Sequence, residues 1–208
     1  MWSLNYLLEV ALMVVVLFFS VIVHEVAHGY VAWLNGDPTA KFSGRITLNP
    51  VPHIDPIGTL LLPGLLLLSG SQILFGWARP VPVNPMNYRH YTWGEITVSA
   101  AGPLSNLILA AAFAFLLRLG LGNLGLLKLA YYGVSFNIFL ALFNLIPIPP
   151  LDGSHLLAAF LPRELNRLYH YLEPVGFILI LVLFYTGILS LLLMPLYRRI
   201  AALLLGFW

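Results

Sequence analysis

Cysteine is absent from this sequence of 208 residues, and charged residues make up only 9% of it. The absence of cysteine excludes disulfides, thiolate metal sites and cysteine nucleophiles. A soluble domain usually contains about 25% charged residues, and a formal net charge of +2 is too small for a phosphate-binding surface. Nucleic acid is therefore excluded as a partner. Hydrophobic residues, at 60%, are so abundant that we expect an integral protein of the lipid bilayer.

The long apolar runs set the expected fold class. A helix needs about 20 mostly apolar residues to cross a bilayer, and four runs reach that length, at residues 6–31, 96–119, 124–146 and 174–194. Residues 200–208 are too few to cross alone. No internal repeat or flexible linker interrupts the chain, so we expect residues 1–208 to form a single domain, an all-α polytopic membrane protein.

Two segments between the first and second apolar runs depart from this pattern. Residues 40–49 alternate between small or apolar side chains and polar ones, which is the period of a strand with one solvated face. Residues 57–75 are long enough to cross, but Pro63, Gly64 and polar side chains at 69–72 interrupt them. We expect a small β element after the first span, followed by a segment that either crosses the membrane or re-enters it.

A metal-binding motif lies inside the first apolar run. His24 and His28 are spaced i, i+4, which places both imidazoles on one helix face, where they can bind a zinc ion together. Glu25 lies about 100° around the helix from His24, close enough to act on a water molecule beside the metal without being a ligand. An ionisable group at membrane depth costs about 2.5 kcal/mol or more, so this group of three indicates a compensating metal ion.

A catalytic zinc ion needs a third protein ligand, and without cysteine the candidates are acids and histidines. Asp152 follows prolines at 147, 149 and 150, which must end the preceding helix, and a carboxylate at such a break suits a buried cation. His155, three residues further on, is the alternative. His53 and Asp55, in the loop after the expected strand, could also approach the site.

These motifs resemble the two signatures of the site-2 protease family of intramembrane zinc metalloproteases. The first is H-E-x-x-H at residues 24–28, and the second runs from Asn144-x-x-Pro147 to Leu151-Asp152-Gly153. Residues 101–106, with the sequence AGPLSN, resemble the glycine-containing middle helix of the family. Many relatives carry a PDZ domain between the motifs. This chain has no room for one there, so it resembles the short, single-domain members.

The resemblance implies a core of three transmembrane helices carrying one zinc ion per chain, and membrane-spanning proteins as substrates. It implies His24, His28 and Asp152 as the metal ligands, Glu25 as the catalytic glutamate and Asn144 as an active-site asparagine. Asn144 lies one turn before the helix break, where its amide could hold a substrate carbonyl or the developing oxyanion.

A shared metal ion would constrain the topology. The histidines lie near the C-terminal end of their span and Asp152 lies just beyond the C-terminal end of its own, so the two spans must run in the same direction. That condition holds if residues 57–75 dip into the membrane and return, so we expect a re-entrant hairpin. Six Lys and Arg residues then lie on the active-site side against four on the other, which favours a cell-membrane protein with its active site towards the cytoplasm.

Asparagines inside two of the apolar runs have a simpler interpretation. Asn106 and Asn137 each lie among small residues at i, i+4 spacing. This spacing lets membrane helices pack closely, and asparagine amides can hydrogen-bond across the contact. We expect a helix-packing role for both.

The function that these features favour is hydrolysis of peptide bonds within the membrane by metal-activated water, with Glu25 accepting the proton. The substrate must be unwound, because helical hydrogen bonds hide its carbonyls, and the expected strand at 40–49 offers an edge for an extended substrate. The alternative is a metal-binding transporter or a catalytically inactive membrane scaffold, since ionisable residues in membranes also mark ion pathways. A transport site has no need of Glu25 beside the two histidines. The sequence indicates no oligomeric state.

Overall fold

The computed structural model describes residues 3–70, 76–120 and 122–206, and this part of the chain is mostly helical and contains no strand. A π-helical turn at Pro56–Leu61 leads into α3, and short 3-10 turns lie at Val51–His53 and Pro85–Asn87. The α-helices, in chain order, are α1 (Leu4–Leu34), α2 (Thr39–Phe42), α3 (Leu62–Leu68), α4 (Tyr91–Arg118), α5 (Leu124–Asn144), α6 (Asp152–Ala158), α7 (Arg163–His170), α8 (Glu173–Tyr185) and α9 (Ile188–Leu205).

Four of the described helices, α1, α4, α5 and α9, are long and apolar enough to cross a membrane. The chain is therefore a multi-pass membrane protein, and the first three predicted spans coincide with α1, α4 and α5. The fourth prediction, residues 174–194, is wrong in position because Gly187, with a φ of +77°, separates α8 from α9. Glycine adopts this left-handed conformation without strain and so ends α8. The helix in this region that is long and apolar enough to cross is α9, which includes part of the C-terminal segment judged too short to cross alone.

The strand predicted at residues 40–49 does not form. Residues Thr39–Phe42 make the single turn α2, and Gly44, with a φ of +64°, then redirects the chain. The turn is set by Asp37, whose Oδ1 accepts hydrogen bonds from the Thr39 main-chain N–H (3.1 Å) and from Thr39 Oγ1 (2.5 Å). A strand needs a partner for its main-chain groups, and the described part of the chain provides none here.

The helices α1, α4 and α5 pack against one another. Between α4 and α5, the small side chains of Ala110 and Ala114 meet Val134 and Ile138 in a fully buried cluster. Small residues matter here because lipid tails are as apolar as leucine, so membrane helices associate through close packing rather than through the hydrophobic effect. Helix α6 also packs against α4.

The segment between α1 and α4 leaves and returns to the same end of the bundle. The main-chain N–H of Arg89 donates to the carbonyl of Asn35 (2.8 Å), and the Asn35 side chain donates to Thr97 Oγ1 (2.9 Å). Within this segment, the main-chain N–H of Trp77 donates to the carbonyl of Gly58 (3.2 Å). Gly58 and Trp77 are therefore neighbours, although residues 71–75, which come between them in the sequence, lie outside the described residues.

Candidate metal centre and active site

The structure brings together the three side chains predicted as metal ligands. The Nε2 atoms of His24 and His28 lie 3.0 Å apart. The Asp152 carboxylate lies against both, with Oδ2 at 3.1 Å from His24 Nε2 and Oδ1 at 3.3 Å from His28 Nε2. The histidines project from one face of α1, and Asp152 is the first residue of α6, reached through the proline-rich turn that follows α5. The two sequence motifs, one on α1 and the other leading into α6, therefore meet at one site.

The proton on the His24 ring is placed by a chain of buried amides. Asn106 Nδ2 donates to Asn137 Oδ1 (2.8 Å) and to the Ser20 carbonyl (3.3 Å), so Asn106 Oδ1 is the acceptor of that amide. His24 Nδ1 lies 2.7 Å from this oxygen and must donate to it. A neutral imidazole carries one proton, so His24 Nε2 has a free lone pair facing Asp152.

His28 is fixed in the same tautomer by a different partner. Its Nδ1 lies 2.7 Å from the main-chain carbonyl of Val98 on α4, an oxygen that can only accept. His28 Nε2 is therefore also an acceptor. Metal-binding histidines characteristically donate their second ring nitrogen to a carbonyl or carboxylate, which orients the ring and sets its tautomer.

The converging atoms fit a zinc ion. In their neutral forms, both rings turn an Nε2 lone pair towards the Asp152 carboxylate, so no donor lies between them, and Asp152 Oδ2 is buried without a hydrogen bond in the described part of the chain. Zinc–nitrogen bonds of about 2.0–2.1 Å in a tetrahedron separate two ligand atoms by roughly 3.3 Å, close to the 3.0–3.3 Å found between these atoms. Two histidines and one carboxylate also leave the fourth position of a catalytic zinc ion open for water.

Gly102 allows α4 to pass directly against this group. A Cβ atom at this position would overlap the imidazoles of both His24 and His28. Helix α4 must lie this close because it supplies Asn106 and the Val98 carbonyl, which orient the two rings. Only glycine leaves room for the rings at this distance.

A cavity of about 240 Å³ opens beside the three side chains, and Glu25 lines it together with His28 and Asp152. Glu25 Oε2 accepts a hydrogen bond from the main-chain N–H of Val81 (2.8 Å). Most of the remaining wall is apolar, formed by Pro80, Val81, Val83, Pro85 and Val98. Burial and, to a smaller degree, the Glu95 carboxylate raise the pKa of the Tyr88 phenol in this wall, so it is uncharged at neutral pH.

His155, the alternative candidate for the third ligand, has a separate partner. His155 also lines the cavity, but its Nδ1 lies 3.7 Å from a Glu95 carboxylate oxygen, and it is not among the described residues whose ligand atoms cluster. Asn144 donates its side-chain amide to the carbonyl of Leu140 one turn earlier in α5 (3.0 Å). Asn144 is not among the described residues that line the cavity, so its proposed contact with substrate stays a prediction.

His53 and Asp55 shape the loop instead of joining the metal group. His53 is fully buried, and its Nε2 donates to the carbonyl of Thr47 (2.9 Å). Asp55 Oδ1 accepts from the main-chain N–H groups of Ile57 (3.0 Å) and Gly58 (2.7 Å), which is the arrangement of a helix N-cap. Asp55 therefore caps the π-helical turn that leads into α3, and His53 fixes the preceding loop to Thr47.

Two contributors to the site go beyond what the sequence analysis assigned. Asn106 and Asn137 do pack the helices, but Asn106 also orients His24. The sequence signal for this role was an amide side chain within an otherwise apolar run, and the structure buries it fully. The Val81 contact to Glu25 had no signal, because a main-chain N–H is present at every residue except proline.

Comparison with known proteins places the chain in a family. The model of Peptidase family M50 matches residues 12–123 and 120–183. "Putative zinc metalloprotease YwhC" of Bacillus subtilis is 42% identical over 192 residues, covering 88% of this chain and 84% of that protein. "Putative zinc metalloprotease Rip2" of Mycolicibacterium smegmatis is 32% identical, covering 82% of this chain and 65% of that protein. Rip2 of Mycobacterium tuberculosis is 33% identical, with 79% and 63% covered.

No solved structure matches the chain significantly. The family match nevertheless extends over both halves of the site, since it includes the histidines of α1 and the carboxylate of α6. The family expected from the sequence motifs is thereby confirmed. The chain belongs to peptidase family M50, the site-2 proteases.

Proposed function

We propose that this protein is a zinc-dependent intramembrane endopeptidase that cleaves membrane-embedded protein substrates by metal-activated water. The observation that carries the proposal is the convergence of His24, His28 and Asp152 beside Glu25, at the edge of a cavity and between helices long enough to cross a membrane. The zinc metalloprotease names of the relatives support the same reaction.

His24, His28 and Asp152 would hold one zinc ion, and Glu25 would do the proton chemistry. When bound, zinc supplies a Lewis acid that activates water near neutral pH. Glu25 accepts the proton of the attacking water and then donates it to the departing amine, as a general base and then a general acid. The Glu25 carboxylate suits this role because it faces the cavity and is not one of the clustered ligand atoms.

The shape of the cavity favours an extended substrate. Its volume of about 240 Å³ accommodates only a short stretch of peptide, and a helical peptide would keep its carbonyls in hydrogen bonds. Residues 40–49 do not provide the edge strand that we expected, because they form α2 and a turn. Residues 78–84, which have no helical structure and include Pro80, Val81 and Val83 of the cavity wall, are better placed to lie beside a substrate.

A first prediction concerns the metal. Purified wild-type protein should contain about one zinc ion per chain, and Asp152→Ala and His24→Ala should each lose most of it, because two remaining ligands do not close a tetrahedral site. Elemental analysis of the purified variants measures this directly. His155→Ala is the matched control and should keep its zinc, since His155 faces Glu95. Undiminished zinc in Asp152→Ala combined with loss of zinc in His155→Ala would show that His155, and not Asp152, is the third ligand.

The proposal extends to the arrangement in the membrane. Residues 1–208 would form one domain whose zinc site is carried by a core of α1, α4 and α5, with residues 57–75 as a re-entrant hairpin. The contacts of Asn35 with Arg89 and of Gly58 with Trp77 support a segment that returns to the side from which it entered. The excess of Lys and Arg on the side of the zinc site favours the cytoplasmic face of the cell membrane.

A second prediction tests this arrangement by labelling single cysteines in intact cells. The wild type has no cysteine, so Lys41→Cys, Arg89→Cys and Lys128→Cys each introduce one reactive thiol. An impermeant maleimide should label position 128 from outside, while positions 41 and 89 should label only after the membrane is opened. Position 41 lies before the hairpin and position 89 after it, so opposite behaviour of these two would show that residues 57–75 cross.

A further inference from the structure

The segment 77–84, here called the strap, lies beside Glu25 and forms part of the cavity wall. Its residue Val81 is 6% exposed and donates its main-chain N–H to Glu25 Oε2 at 2.8 Å. The Val81 side chain packs against α1 where Gly29 leaves space, and a Cβ atom at Gly29 would meet it at 2.8 Å. The strap is therefore seated on the helix that carries the H-E-x-x-H motif.

One end of the strap is anchored by a buried positive charge. The guanidinium of Arg45, which is 7% exposed, donates to the carbonyls of Arg79 (2.6 Å) and Pro80 (3.2 Å). The main-chain N–H of Arg79 donates to the carbonyl of His53 (2.9 Å). Hydrogen bonds from a charged group are stronger than neutral ones, so the two residues before Val81 are held firmly.

The other end is anchored by a buried negative charge. Asp37 is fully buried, and its Oδ2 accepts the main-chain N–H of Asn84 at 2.6 Å. Its Oδ1 accepts from Asn87 Nδ2 at 2.8 Å. Arg45 thus fixes the carbonyls just before Val81, and Asp37 fixes the main-chain N–H of Asn84 after it. These contacts hold the Val81 N–H in the direction of Glu25.

A fixed donor at this point has a direct use in the reaction. A glutamate side chain has three rotatable torsions, and its carboxylate can turn away from the water molecule that it must deprotonate. With Oε2 bound to a donor that cannot move, the second oxygen, Oε1, stays available for the proton. We propose that the main-chain amide of Val81 is a positioning group for Glu25, and that the strap exists to hold this amide in place. This inference rests on the proposed role of Glu25.

The test removes the amide proton without removing the carboxylate. Val81→Pro deletes the N–H, and the flanking Pro80 and Pro82 already keep the strap extended, a conformation that proline tolerates. Val81→Ala is the matched control, because it trims the side chain and keeps the N–H. We expect Val81→Pro to lower kcat for a membrane-embedded model substrate by about 10- to 100-fold, the range for one hydrogen bond to a charged group, with KM and zinc content unchanged. Val81→Ala keeps the N–H, so its loss of kcat should be at least about tenfold smaller than that of Val81→Pro.

A second comparison separates positioning from a structural role. Glu25→Asp shortens the side chain, so its carboxylate no longer reaches the amide, and Val81→Pro should add little further loss in this background. If Val81→Pro fails to fold, Arg45→Gln replaces it in the same cycle, because it loosens the strap through the carbonyls of Arg79 and Pro80. Equal losses in Val81→Pro and Val81→Ala, or full additivity with Glu25→Asp, would overturn the inference. Activity retained in Glu25→Gln would instead contradict the role of Glu25 itself.

Discussion

Replacing Glu25 by glutamine should lower the rate of substrate cleavage by about 10²- to 10⁴-fold, the usual contribution of a general base. Glutamine has the same shape and can still accept the Val81 N–H through its amide oxygen, but it cannot take up a proton at neutral pH. The protein should therefore fold and bind zinc as wild type does. Cleavage of a membrane-embedded model substrate in proteoliposomes, with elemental analysis of the same preparation, measures both properties.

The control for this variant lies on the same helix. Glu9→Gln makes the identical change near the other end of α1, where Glu9 contacts Tyr132 and Lys128. It should leave cleavage within a few-fold of wild type, because it lies away from the cavity. Full activity in Glu25→Gln would mean that another group accepts the proton and that the proposed mechanism is wrong.

Adding one methyl group at Gly102 should eliminate the metal site. In a helix, alanine is more stable than glycine by about 0.8–1.0 kcal/mol, so helix propensity alone predicts a slightly more stable protein. The steric effect is opposite and larger, because the new Cβ overlaps the rings of both His24 and His28. We expect Gly102→Ala to lose most of its zinc and at least about 10²-fold in activity, as a displacement of roughly 1 Å does at a catalytic site.

Another glycine offers a matched control for this substitution. Gly64 lies within α3, and a Cβ atom there would meet nothing within 4 Å. Gly64→Ala should therefore keep both zinc and activity. Zinc content and cleavage at wild-type levels in Gly102→Ala would show that α4 can move away from the histidines, which would contradict the close packing described above.

The parts of the site that follow from local geometry were predictable from the sequence. The i, i+4 spacing of His24 and His28 fixes their common face as soon as the helix forms. Asp152 followed from the prolines that end α5 and from the absence of cysteine. Neither argument needed knowledge of which helices touch. The structure places the side chains of His24, His28 and Asp152 together, and their role as metal ligands stays a prediction.

The parts that depend on tertiary contacts were not predictable in this way. The break at Gly187 lies between two apolar stretches, so hydropathy continues across it without a signal. Residues 40–49 show the alternation of a strand, yet the Asp37 carboxylate stabilises a helical turn there instead. The orienting role of Asn106 depends on α4 facing His24, and spacing within α4 alone indicates only that the helix packs closely.

The buried chain through Ser20, Asn106 and Asn137 has a consequence for biosynthesis. Asn137 on α5 accepts a hydrogen bond from Asn106 on α4 and donates one to Ser20 Oγ on α1, so these two bonds between helices form only after α5 has packed against α1 and α4. A side-chain hydrogen bond between membrane helices contributes about 0.6–2 kcal/mol to their association. The two bonds together are enough to favour one packing register of the three helices over the neighbouring registers. Asp152 is translated after α5, so a nascent chain that ends within α5 lacks the proposed third metal ligand. Proteolytic competence would then arise only when the last of these helices has docked, which protects a membrane crowded with newly made proteins from a partly assembled protease.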